Sequence, residues 1–548
     1  MKLLTRTALS ALIYFFSVFS IYAGDITIKI TKKYLNLPVS HNVNRAHMSF
    51  EIDGKQERSF VIRLAPAEAD YWVFCDVEHL KGKTIKISYN GDTAGLSKIY
   101  QDDKIEGSES LYKEKNRPQF HFTTQRGWIN DPNGLIYYDG EYHLFYQHNP
   151  YEKDWENMHW GHAVSRDLVH WNQLPEALYP DHLGTMFSGS AVIDYDNTAG
   201  YNKGNTPAMI AFFTAAGPEK QVQGMAYSLD KGRTWTKYDK NPLIDSKAKW
   251  NSQDTRDPKV FWYKPSNHWV MVLNERDGHS IYTSKDLKEW TYQSHTTGFW
   301  ECPELFELPI DGNRNNTKWV MYGASGTYML GQFDGKVFTP ESGKYYYTSG
   351  TIYAAQTFTN IPDSDGRRIQ IGWGRIQNPG MSFNGIMTLP TELTLRTTKD
   401  GPRLYSVPVK ETEQLFSSVK SWSNLTSNDA NAKMKEFYNA DCLRIKTTIK
   451  LSHATDAGFN LFGQRMIDYD MNGNKLNGMF YSPQDMTSME LTADIYIDRT
   501  SIEVFIDGGI YSYSMSRKPD NDNAEGFHFW GNNITVKDLE VFSVKSIW

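Results

Sequence analysis

The sequence predicts an all-β protein: a five-bladed β-propeller followed by a C-terminal β-sandwich, with a small β domain in front. Three observations carry this reading. Short apolar–polar alternations recur along the chain with almost no helical periodicity, a Ser-x-Asp…Trp box repeats at blade-sized intervals, and 12 of the 16 tryptophans fall between Trp128 and Trp373.

The 548 residues exceed the roughly 250–300 at which single cores stop growing, so several domains are expected. Residues 1–24 read as a secretory leader, with Lys2 and Arg6, an apolar run from Ala8 to Tyr22, and small residues at Ala23-Gly24. That run is shorter than the ~20 residues needed to span a bilayer, and no cysteine stands near the cleavage point for a lipid anchor. A secreted or periplasmic protein with no membrane span in its mature chain is therefore expected. Residues 25–112 alternate as half-buried strands do, for example Ile26-Thr27-Ile28-Lys29-Ile30 and Thr84-Ile85-Lys86-Ile87-Ser88.

From 118 to 405 short strands are separated by Gly, Asn, Asp and Pro turns. The segments Ser165-Arg166-Asp167-Leu168-Val169-His170-Trp171, Ser228-Leu229-Asp230-Lys231-Gly232-Arg233-Thr234-Trp235 and Ser284-Lys285-Asp286-Leu287-Lys288-Glu289-Trp290 repeat one pattern. In it the Asp is expected to close a turn and the Trp to pack between sheets, as in propeller blades. Motif starts at Trp128, Ser188, Arg256, Glu301 and Ser349 divide the region into the five expected units. Plain alternation returns over 410–548, most clearly in Ala493-Asp494-Ile495-Tyr496-Ile497-Asp498, and predicts the sandwich.

A net charge of −6 offers no basic face for nucleic acid. Cys75, Cys302 and Cys442 are too few and too scattered for a disulfide framework. His159 and His162 lack a third metal ligand at a recognisable spacing. There is no phosphate loop or dinucleotide fingerprint, so no cofactor and no metal are expected.

Three acidic motifs stand in order within the Trp-rich stretch: Trp128-Ile129-Asn130-Asp131-Pro132-Asn133-Gly134, Arg256-Asp257-Pro258 and Glu301-Cys302-Pro303-Glu304-Leu305. Proline fixes its own φ and drives the preceding residue toward extended geometry, so Asp131 and Asp257 are expected rigid, at strand or turn ends. Singly, such pairs commonly mark plain turns. Three together beside tryptophans point to glycoside cleavage, which needs one ionised and one protonated carboxyl group flanking the bond. Asp131, flanked by Asn130 and Asn133, is expected to stay ionised and attack the anomeric carbon. Glu304, beside Cys302, Pro303, Leu305 and Phe306 and close to Glu301, is expected to hold a proton for the leaving oxygen. Asp257, next to Arg256, is expected to stay charged and clamp sugar hydroxyls. Cys302 reads as packing beside the site. Trp155, Trp160, Trp300 and Trp373 adjoin polar motifs and are candidate sugar-stacking residues, while Gln147 and Ser188 suit hydroxyl recognition.

These motifs, with Phe187-Ser188-Gly189-Ser190 between the first two, resemble glycoside hydrolase family 32, the invertase, inulinase and levanase group. The resemblance covers about 118–548, because Asp498-Arg499-Thr500-Ser501-Ile502-Glu503-Val504-Phe505 is similar to that family's C-terminal sandwich. Residues 25–112 resemble an additional domain of some bacterial members. The resemblance implies a funnel-shaped site on a propeller axis and retaining hydrolysis of β-fructofuranosidic bonds in levan, inulin or sucrose. It also implies Asp131 as nucleophile, Glu304 as general acid/base and Asp257 as transition-state stabiliser, with Asn130, Gln147, Trp155, Ser188, Arg256 and Trp373 around the fructose. Exo attack by a monomer is expected. An endo-levanase or a fructosyltransferase would use the same acids, and a non-catalytic fructan-binding protein is the alternative from another class. A sialidase-like propeller would need an arginine cluster that the sequence does not mark.

Overall fold

The computed structural model describes residues 24–451, 456–461, 463–470, 472, 475–477, 479–480, 489–517 and 526–548. Apart from Gly24, the expected leader lies outside them. One compact unit ends at Lys104. It contains a four-stranded antiparallel sheet built from Gly24–Lys29, Thr84–Tyr89, Ala46–Ile52 and Lys55–Ile62, and an antiparallel pairing of Tyr34–Val39 with Tyr100–Asp102. Alternation decides its packing: Ile85 and Ile87 turn inward with Leu35, Leu37, Met48 and Phe50, and all are fully buried.

The second unit holds a succession of antiparallel sheets. The first runs Gly127–Tyr138, Glu141–Asn149, His159–Ser165, Trp171–Leu178; the next runs Thr185–Asp194, Ala208–Ala216, Gln221–Ser228, Thr236–Lys237. A third comprises Thr255–Tyr263, His268–Glu275, Gly278–Ser284 and Thr291–Thr297. Two further meanders, starting at Glu304–Ile310 and Ile352–Thr357, merge into one nine-stranded sheet. Their link is a single parallel pairing, Ile310 with Leu395. Late and early chain meet where Phe383–Asn384 adds in parallel to Gly127 and Trp128.

The repeated box does the local work expected of it. Ser165, Ser228 and Ser284 hydroxyls donate to Asp167, Asp230 and Asp286 at 3.0, 2.7 and 3.1 Å. Each aspartate in turn accepts backbone amides of its own turn, such as His170 N at 2.9 Å and Glu289 N at 2.9 Å. The tryptophan closes the loop by donating Nε1 to the carbonyls of Leu168, Gly232 and Leu287. Its ring then packs edge-on against a strand aromatic, Trp235 on Phe145 and Trp290 on Phe212. The boxes are therefore structural and take no part in the chemistry.

A seven-stranded and a five-stranded sheet follow, enclosing Ile445, Phe459, Ile495, Val504 and Val541. They join the preceding sheets through a buried ion cluster. His121 Nδ1 lies 2.8 Å from Asp498 Oδ2 and Nε2 lies 3.3 Å from Glu503 Oε1. Asp498 also accepts the amides of Gln119 at 2.7 Å and Phe120 at 3.1 Å. Burial opposes charging His121, but the two carboxylates win and raise it to about 9 from 6.5. A raised folded-state pKa means the stabilisation is complete below pH 6.5 and is lost as pH climbs through about 9. The shift corresponds to about 3 kcal/mol at most. Asp498→Asn is expected to cost about 3–5 kcal/mol because it strands a buried partner. In urea unfolding, the deficit of His121→Gln should shrink as pH rises past the folded value; a deficit independent of pH would contradict the charged pair.

Candidate active site

The site is made where four strands, Gly127–Tyr138, Thr185–Asp194, Thr255–Tyr263 and Ile352–Thr357, break register. Shifts fall at Ile129/Pro132, Phe187/Gly189, Arg256/Lys259 and Tyr353/Gln356. Pro132 and Pro258 explain two of them, since proline removes a ladder donor and within a sheet sits at edges or bulges. A bulge re-aims the side chain it carries, and here the carriers are Asp131, Ser188, Asp257 and Tyr353. Gly189 is required at its bulge, because a Cβ there would lie 1.9 Å from the Phe212 carbonyl oxygen. Asp257, Glu301, Cys302 and Ala354 adopt left-handed φ values of 65°, 52°, 42° and 51°. Each such non-glycine residue costs on the order of 1–3 kcal/mol, and such strain collects at functional sites.

Asp131 Oδ2 accepts from Ser188 Oγ at 2.6 Å and Oδ1 from Asn130 Nδ2 at 3.2 Å. Trp128 Nε1 fixes Asn130 from behind at 2.9 Å. Asp257 Oδ2 accepts the Cys302 amide at 2.9 Å, and its own amide donates to Thr214 Oγ1 at 3.0 Å. The Cys302 thiol lies between the two, 3.6 Å from Asp131 Oδ2 and 3.5 Å from Asp257 Oδ2. Burial pushes that thiol well up, and the adjacent carboxylates push it further, so it is no nucleophile. Glu301 faces this pair. Its Oε1 accepts Arg256 Nη2 at 2.6 Å and Nε at 3.2 Å, and its Oε2 accepts the Tyr353 hydroxyl. Its amide donates to Asn274 Oδ1 at 2.8 Å, which fixes the strained loop.

Burial raises both aspartates. Asp131 lies above its usual 3.8 despite the hydrogen bonds that favour its charge, and Asp257 is raised from 3.8 to about 7. Arg256 pulls Asp257 down and Asp131 pushes it up, but desolvation dominates. Two sequence expectations are corrected here. Arg256 does not hold Asp257 permanently charged, since its guanidinium is turned to Glu301, Asp254 and Gln221. Nor does Asn133 serve Asp131; its Oδ1 accepts the Gly189 amide.

Glu304 is the larger correction. It is 1% exposed, and its carboxylate is taken up by Lys259 Nζ at 2.6 Å and by the Thr357 amide and hydroxyl at 3.1 and 2.6 Å. The side chain is desolvated as its neighbours suggested, but the partner that burial delivers is a lysine from another strand. Glu301, three residues earlier, keeps a side chain 22% exposed and is held by Arg256 and Tyr353. Its sequence neighbour Trp300 was the available signal; that ring is 42% exposed and lies 5.4 Å from the Arg256 guanidinium.

The other candidates divide. Trp155 is 49% exposed and meets Phe187 edge-on, next to Ser188. Trp373 stands edge-on to Trp128 and Tyr353 at 5.7 and 6.4 Å. Gln147 is buried opposite the Asp131 bulge and donates to the Met186 carbonyl at 2.9 Å. Trp160 is a packing residue: it is fully buried and donates to the Phe187 carbonyl. Tyr353 was missed, because nothing local marks it apart from the bulge that follows.

A half-buried Asp131 and a buried Asp257, with a glutamate held by an arginine and a tyrosine and exposed tryptophans nearby, form the kind of carboxylate cluster that glycoside cleavage requires. The family model described as Glycosyl hydrolases family 32 N-terminal domain matches residues 121–408. The chain is 40% identical over 490 residues to a levanase of Bacillus subtilis, covering 80% of this chain and 72% of that protein. It is 32% identical over 524 residues to the extracellular exo-inulinase of Aspergillus niger, covering 80% and 96%. The crystal structure of an exo-inulinase from Aspergillus awamori matches with a TM-score of 0.68 at 27% identity, over 80% of this chain and 100% of that one. The chain therefore belongs to glycosyl hydrolase family 32, and it is a glycosidase of the β-fructofuranosidase type. No helix among the described residues is long and apolar enough to cross a membrane.

Proposed function

We propose that the protein is a secreted or periplasmic, monomeric, exo-acting fructan hydrolase that retains anomeric configuration and releases fructose from levan, inulin or sucrose. The observation that carries this is Glu301, held by Arg256 and Tyr353 against the Asp131–Asp257 pair. The levanase and exo-inulinase relatives support the substrate class. A five-bladed propeller over 118–405, between a β domain at 25–112 and a sandwich at 410–548, is part of the proposal. Three separate sheets and two merged meanders support the blade count.

Glu301 gives its proton to the departing glycosidic oxygen while Asp131 attacks the anomeric carbon, forming a fructosyl ester and releasing the rest of the chain. Water then enters, Glu301 takes its proton, and the ester bond breaks to give fructose and free Asp131. Asp257, shielded and hydrogen-bonded through Cys302, holds sugar hydroxyls as positive charge develops on the ring. The like charges of Asp131 and Glu301 add to burial in raising Asp257. Asn130, Gln147, Trp155, Ser188, Arg256 and Trp373 line the proposed fructose subsite.

Chromatography of the earliest products from levan and inulin tests this, with fructose alone expected. A ladder of oligosaccharides would indicate endo attack, growth above the starting length a transferase, and no product a binding protein. Because the nucleophile must be charged, kcat/KM is expected to fall on the acid side above the ordinary aspartate value of 3.8. Arg256→Met removes the cation that lowers Asp257, so the Asp257 carboxyl, followed by NMR, should titrate at higher pH than in the wild type, and an unchanged or lower value would contradict the electrostatic account.

A further inference from the structure

Glu304 has no part in the chemistry proposed above, yet its surroundings are fully constructed. Lys259 Nζ donates to Glu304 Oε1 at 2.6 Å and to the Thr357 carbonyl at 2.8 Å. Thr357 returns two bonds to Glu304, its amide to Oε1 at 3.1 Å and its hydroxyl to Oε2 at 2.6 Å. All three residues are buried. We propose that Lys259, Glu304 and Thr357 form a closed hydrogen-bonded ring that positions Asp257 and Glu301 for the reaction. The inference rests on the reading of those two residues given above.

Chain placement is the first argument. Lys259 stands two residues beyond Asp257, across the Arg256/Lys259 register shift. Glu304 stands three residues beyond Glu301 and opens its strand, and Thr357 closes the strand that carries Tyr353. Each ring member is thus tied by a few covalent bonds to a residue that carries or holds a site carboxylate. The second argument is proximity. Asp257, Lys259, Cys302 and Glu304 line one small cavity of about 10 Å³, space for about a single water, so the ring and the strained Glu301-Cys302 turn share a wall. Directed hydrogen bonds among three strands hold that wall in place. The third is cost: burying two charges is expensive, and apolar residues of similar volume often stabilise as well or better. A ring kept only for stability would be an inefficient choice.

The ring also carries charge beneath the pair. Facing Glu304 are Lys259, Arg368, and the hydroxyls of Tyr322 and Tyr347. Facing the aspartates are Arg256, Glu301 and Cys302. Deleting one ring charge leaves the other unbalanced beside Asp257, with opposite sign for the two deletions.

The test uses the full chain with Thr357→Val, Thr357→Ser, Glu304→Gln and Lys259→Met, each followed by kcat, KM, pH profile and hydrogen exchange of the peptide containing the Cys302 amide. A misplacement of 1 Å can cost about 100-fold, so Glu304→Gln is expected to lose about 10- to 100-fold in kcat with KM little changed. Thr357→Val should lose kcat and Thr357→Ser should restore it. The acid limb should move up in Lys259→Met and down in Glu304→Gln. Exchange at the Cys302 amide, which donates to Asp257, should quicken in Thr357→Val and recover in Thr357→Ser. Wild-type turnover of levan or inulin judges the proposed function, whereas the exchange result judges the ring whether or not turnover is seen. Unchanged exchange and unchanged kcat in folded Thr357→Val, or a Ser variant no better than Val, would overturn the inference.

Discussion

Asp131→Asn is expected to abolish fructose release, lowering kcat by about 10⁴-fold or more, because an amide cannot form the ester that splits the reaction into two easier steps. Binding should survive, since Ser188 and Asn130 remain to meet the sugar. The same variant should be more stable than the wild type. Burial raises Asp131 above its usual 3.8, so the folded protein holds the proton more tightly than the unfolded chain does. Charging that group costs stability progressively as pH rises from 3.8 through the folded-state value. The neutral amide escapes this cost, and its Tm advantage should grow over that window. An active or destabilised variant at neutral pH would argue that Asp131 is a structural bulge residue.

Glu301→Ala is expected to lose about 10²–10⁴-fold, the usual worth of a general acid–base, and to recover in part with azide on a substrate whose leaving group needs no protonation. The small anion would occupy the space left by the carboxylate and attack the ester in place of activated water. Glu304→Ala should show no such rescue, because its carboxylate is occupied by Lys259 and Thr357. Rescue of Glu304→Ala with none for Glu301→Ala would reverse the assignment.

Much of this site is legible before any coordinates. Asp-Pro within a strand announces a bulge, and both Asp131 and Asp257 lie at register shifts. The Ser-x-Asp…Trp boxes predict their own turns because every partner is local. Legibility ends where partners are distant. Glu304 reads as a desolvated acid and is one, but Lys259 lies 2.6 Å away across a strand boundary that sequence neighbours do not reveal. Arg256 reads as the partner of adjacent Asp257, yet successive residues of a strand face opposite ways, and the guanidinium serves Glu301 instead. Trp160 belongs to a strand buried at every position, so alternation carries no information about which side meets the pocket.

The central claim, that Asp131 is the nucleophile and Glu301 the acid/base of a retaining reaction, is tested most directly by trapping the intermediate. Glu301→Ala, mixed with an activated fructoside, quenched in acid and digested, should carry one fructosyl unit on the peptide containing Asp131, because formation of the ester outruns its hydrolysis. The unit on a peptide containing Asp257 or Glu304, or steady turnover with no adduct on any peptide, would contradict the account.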